Sequence, residues 1–94
     1  MEKKYYEFRE GNGNVGNYFR GVFMAKDLEQ ANNIVRRQWM NLKDYYRRQL
    51  VIDWGSDYVY YTLYSKHDDD YAPYTSALRE ISKEKYEHGL KRSW

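Results

Sequence analysis

Cysteine is absent from the 94 residues, which excludes a disulfide framework and a thiolate metal site and makes a reducing compartment the economical expectation. Long apolar runs are absent too. The chain opens Met1-Glu2-Lys3-Lys4-Tyr5-Tyr6, mixing charged and aromatic residues, and no apolar segment of signal-peptide or membrane-spanning length follows. A cytoplasmic protein that stays off membranes is predicted. Charge of one sign is also missing: 16 Lys and Arg face 14 Asp and Glu, a formal +2, so any basic footprint must be local. Proline occurs once, at Pro73.

What the chain has in quantity is tyrosine, 12 of them beside 3 Trp and 3 Phe, while Leu, Ile and Val are sparse. A tyrosine ring packs while its hydroxyl stays wet, so the same residue builds a small core or furnishes a contact surface. A chain of this length closes one core, and residues 1–94 are read as one domain.

Lys4-Tyr5-Tyr6-Glu7-Phe8-Arg9 alternates as a half-buried strand does, with Tyr6 and Phe8 on one face. Gly11-Asn12-Gly13-Asn14-Val15-Gly16 reads as a hairpin connection. It lacks the lysine of a phosphate-binding P-loop and leads into a strand rather than a helix. A second strand over 17–25 places Phe19 and Phe23 on one face by simple alternation. Asp27 then suits a helix N-cap with Gln30 completing a capping box. From there Leu28, Ala31, Val35, Trp39, Leu42, Tyr46 and Leu50 recur at spacings of three and four, which predicts one long amphipathic helix.

Leu50 to Trp54, the turn Gly55-Ser56-Asp57, and Tyr58 to Tyr64 read as a hairpin. Alternation groups Val59, Tyr61 and Leu63 as core candidates and Tyr58, Tyr60 and Tyr64 as the opposite face. Beyond the polar break His67-Asp68-Asp69-Asp70, Pro73 stands where a helix would begin. Tyr74, Ala77, Leu78 and Ile81 form its apolar face, and Gly89 its C-cap. The expected fold is α+β: a small antiparallel sheet of about four strands in ββαββα order, with one long and one short helix packed on one face.

No motif of chemistry stands out. The acidic run lacks the spacing of an EF-hand, His67 and His88 are far apart, no thiol exists, and no serine sits in a nucleophile elbow. Strand 20–25 and the helix after it are faintly similar to part of an RNA-recognition motif, but the stacking aromatics are not at its spacing. A non-enzymatic protein without cofactor or metal is expected.

The candidate contact surface is the basic side of the long helix. Arg36, Lys43 and Arg47 would form one row there, with Met40 beside it and Tyr58, Tyr60 and Tyr64 flanking it. Arginine and tyrosine supply most binding energy at protein interfaces and also bind phosphates and stack on bases. The compact, tyrosine-rich, cysteine-free chain resembles in general character the small inhibitor and accessory proteins of bacteriophages and mobile elements. That resemblance implies docking on a larger bacterial or host protein. Binding of nucleic acid or a nucleotide by the same basic edge is the alternative, and a homo-oligomer is the third reading.

Overall fold

The computed structural model describes residues 3–11, 17–40, 48–65 and 74–92. The elements are β1 (Lys4–Gly11), β2 (Asn17–Ala25), α1 (Leu28–Gln38), β3 (Arg48–Trp54), β4 (Tyr58–Ser65), β5 (Tyr74–Ile81) and α2 (Lys83–Arg92). The five strands form one sheet in the order β2-β1-β5-β4-β3, and every neighbouring pair is antiparallel. The class is α+β as expected, but the order is ββαβββα. Of the Gly-Asn connection Gly11 ends β1, while residues 12–16 and the His67–Asp70 break lie outside the described residues.

The additional strand is β5, over residues the apolar spacing assigns to a helix. The cause is its place in the sheet. Between β1 and β4, β5 buries Leu78 on one face and the small Ala77 on the other, where Thr75 and Arg79 are exposed. Apolar residues at both parities blur the strand period and imitate a helical one. The helix begins only after Ser82, whose Oγ accepts from the Lys85 backbone N–H at 3.2 Å. Gly89 therefore lies inside α2 and does not cap it.

The start of α1 is as the sequence predicts: Asp27 Oδ1 accepts from the Gln30 N–H at 2.8 Å, and Gln30 Oε1 accepts from the Lys26 N–H at 2.7 Å. Its end is not. The helix stops at Gln38, twelve residues before Leu50, and Trp39 is its C-cap, with its backbone N–H on the Val35 carbonyl. Trp39 stacks on Phe8 with ring centroids 5.3 Å apart, and Met40 is 5% exposed. Gly21 makes room for the indole, since a Cβ there would stand 3.0 Å from the Trp39 ring. Leu50 belongs to β3, opposite Leu63.

The helices occupy opposite faces of the sheet, not one face. Tyr5 and Tyr6 are consecutive in β1 and so point to opposite sides. Tyr6 joins Phe8, Val59, Tyr61 and Leu78 in a core closed by Ala31 and Val35 of α1. Full burial of each large side chain there is worth about 1.5–3 kcal/mol. Tyr61 donates its hydroxyl to the buried Asn32 Oδ1 at 2.6 Å, which satisfies both polar atoms. Tyr5 instead stacks on Tyr86 of α2 at 4.8 Å.

A bulge separates two phenylalanines that alternation groups together. Phe8 pairs with Gly21 and Arg9 with Phe19, so Arg20 is an extra residue in β2. Phe23 therefore packs on Tyr6 in the core, at 5.9 Å, while Phe19 falls on the α2 side beside Arg9.

Candidate functional site: a tyrosine and arginine groove

Among the described residues the α2 face of the sheet is covered at one end only. Gly89 lies against Val22, so closely that a Cβ would stand 2.5 Å from Val22 Cγ1, and this contact and the Tyr5–Tyr86 stack seat α2 over β1 and β2. Between the helix and the open part of the face lies a groove of about 720 Å³. Glu7, Arg9 and Phe19 line it from β1 and β2, Arg79 and Ile81 from β5, and Tyr58 and Tyr60 from β4. Lys85, His88 and Gly89 border it from α2, and Asp57 stands at the end of the β3–β4 turn.

The tyrosines and Arg79 form one unit. Tyr58 and Tyr60 are two apart in β4, hence on the same face, with ring centroids 4.5 Å apart. Arg79, the cross-strand neighbour of Tyr58, reaches to Tyr60: Nη2 donates to the hydroxyl at 2.8 Å, and the guanidinium carbon is 5.5 Å from the ring centroid. Ala77, opposite Tyr60, is small enough to leave the ring room.

The charges of the groove are unequally satisfied. Glu7 holds Arg9 Nε at 2.6 Å, and Glu80 is 3.6 Å from Lys4 Nζ. Arg79 has a neutral phenol as hydrogen-bond partner and makes no ion pair among the described residues. Lys85 and His88 are exposed on the helix rim. The tyrosine side therefore carries mixed charge, Arg79 and Lys85 against Asp57 and, opposite Tyr60 in β3, Asp53. Such a surface offers guanidinium and ammonium donors beside two aromatic planes, which suits carboxylates or phosphates carried next to flat or apolar groups. Among the described residues no three His, Cys, Asp or Glu side chains cluster to hold a metal ion.

Of the residues singled out from the sequence, those whose side chains are described fall in different parts of the fold. Tyr58 and Tyr60 line the groove. Tyr64 lies in the same strand, paired with Gln49, and its side chain is outside the described set. Met40 is a core residue. Arg36 lies in the last turn of α1, so the sheet stands between it and the two tyrosines. Lys43 and Arg47 lie outside the described residues, and the helix whose spacing aligns them with Arg36 ends at Gln38.

Among the described residues the cations that line the groove beside the tyrosines are Arg9, Arg79 and Lys85. Arg9 was accessible from alternation, being two residues from Glu7 on the face away from Tyr6 and Phe8. Arg79 was hidden by the helical look of β5, and Phe19 by the bulge. Compared with models of known protein families, with curated proteins and with solved structures, the chain matches none.

Proposed function

We propose that this chain is a non-enzymatic binding protein that docks on a larger bacterial protein through the Tyr58–Tyr60–Arg79 groove and blocks or redirects it. The observation that carries this reading is the tyrosine pair braced by Arg79 on a sheet face that α2 leaves open. Tyrosines packed ring against ring lose little conformational freedom on binding, and Tyr and Arg are enriched at interface hot spots. Arg79 and Lys85 favour a carboxylate on the part of the partner that enters. Small size and abundant tyrosine fit an inhibitor of the kind that bacteriophages and mobile elements encode. No helix among the described residues is long and apolar enough to cross a membrane, which is compatible with a cytoplasmic target.

The test is affinity purification from a bacterial host with wild-type chain and with Arg79→Glu/Tyr60→Ala, both checked by circular dichroism. A stoichiometric protein partner, lost with the double variant, supports the reading. Unchanged capture by the folded double variant removes this surface.

The same cations also favour a second ligand class, nucleic acid or a nucleotide, with bases on the tyrosines. A titration with mixed oligonucleotides and nucleotides at rising salt separates the two. Phosphate contacts weaken steeply as counterions are released, and a tyrosine-anchored protein interface does so far less.

A further inference from the structure

The two edges of the sheet are built differently. At the β2 edge the extra residue Arg20 breaks the ladder and pairs with Glu10 at 3.0 Å, and α2 packs on the strand through Gly89 and Val22. Bulges, charges and covering helices are the usual means of keeping an edge from pairing with another chain. Among the described residues the β3 edge has neither a bulge nor a covering helix, and its two charges, Arg48 and Asp53, stand towards its ends. Its seven residues pair with β4 without a register shift, from Arg48 opposite Ser65 to Trp54 opposite Val59. The strand contains neither proline nor glycine, and among the described residues no element pairs with its outer side.

Apolar surface is exposed at that same edge, on both faces. Val51 is 36% exposed and Trp54 53%, and Leu50 and Ile52 are the half-buried margin of the core. An edge strand that is regular, apolar and free is a template for a further strand.

From this we infer that β3 is the dimer interface of the protein, pairing antiparallel with β3 of a second copy about a twofold axis at Val51. In that register the strand is self-complementary over its whole length. With Val51 opposite its own counterpart, Leu50 meets Ile52, Gln49 meets Asp53 and Arg48 meets Trp54, so all seven positions pair and no like charges are opposed. Centring on Ile52 sets Asp53 against Val51, and centring on Asp53 sets two carboxylates against each other.

Because residues opposite one another share a face, Leu50, Ile52 and Trp54 of both copies join into one apolar strip on the α1 side, and the two Val51 side chains meet on the other. Two five-stranded sheets become one continuous sheet. The interface is separate from the Tyr58–Tyr60–Arg79 groove, so the two assignments stand or fall independently.

The experiment is sedimentation and light scattering of the purified full chain over a concentration series. Wild type is expected at twice the 11.6 kDa chain mass. Val51→Lys places like charges at the axis and is expected to give monomer, while Val51→Thr remains dimeric. Because the chain has no cysteine, Val51→Cys supplies a second readout that does not depend on how Val51→Lys folds. Directly opposite Cα atoms in an antiparallel pair lie about 4.5–5.5 Å apart, within disulfide range. Mild oxidation is expected to crosslink Val51→Cys into dimers and to leave Gln38→Cys, on the exposed surface of α1, uncrosslinked. A wild-type monomer at all concentrations, or a dimer in which Val51→Cys crosslinks no faster than Gln38→Cys, overturns the assignment.

Discussion

Arg79 donates from Nη2 to the hydroxyl of Tyr60 at 2.8 Å while its guanidinium carbon stands 5.5 Å from the centroid of the same ring. One cation thus orients a phenol by a hydrogen bond and faces its π-system at the same time, with no carboxylate partner among the described residues. Since Arg79 is exposed, Arg79→Ala is expected to change folding stability by no more than about 0.5 kcal/mol. Partner affinity is expected to fall by about 2 kcal/mol or more, the scale of an interface hot spot. Chemical denaturation and a binding isotherm of the same variant separate the two effects.

The bond from the Tyr61 hydroxyl to Asn32 joins the sheet to α1 in a buried setting. Tyr61→Phe leaves the Asn32 amide oxygen without its partner and is expected to cost about 1–3 kcal/mol in urea unfolding. Combining it with Asn32→Leu should cost less than the sum of the single changes, because an unsatisfied polar atom is then no longer buried.

Gly89→Ala presents a conflict of known sign. Alanine favours a helix interior over glycine by about 1 kcal/mol, but its Cβ would meet Val22 Cγ1 at 2.5 Å. The contact is expected to win and α2 to loosen, read as faster amide exchange around Tyr86. In a Val22→Ala background the clash is gone, and Gly89→Ala is expected to become stabilising.

Burial raises the Tyr6 phenol above its ordinary value near 10, and the carboxylates of Glu80 and Asp27 add to the shift. Folding therefore favours the protonated phenol. Its contribution to stability is fully present below the unfolded value of about 10 and is lost as pH rises from there through the folded value. Stability measured across the alkaline range is expected to fall more steeply for wild type than for Tyr6→Phe, with the two curves parallel at neutral pH.

Local rules were legible where one face of an element meets water and the other meets the core. The capping residues Asp27 and Gln30, the hairpin around Gly55, and the division of Tyr58 and Tyr60 from Val59 and Tyr61 all follow from such patterns. They fail where tertiary burial overrides periodicity. Ala77 and Leu78 are buried on opposite faces of a central strand, and Trp39 caps a helix whose apolar spacing continues on paper. Arg20 shifts the alternation of β2 by one. The site followed the same division: its tyrosines could be placed from β4 alone, and its arginine only once β5 was known to lie beside them.

The strand order has a consequence for how the molecule comes together. β5, close to the end of the chain, sits between two hairpins made earlier, β1 with β2 and β3 with β4. During synthesis each hairpin can form locally, but their inner edges, β1 and β4, stay open until residues 74–81 arrive to fill both ladders at once. The closing step joins segments distant in sequence, which makes it slow relative to hairpin formation. A nascent chain interrupted before β5 presents two unfilled edges, the state from which strands of different molecules pair.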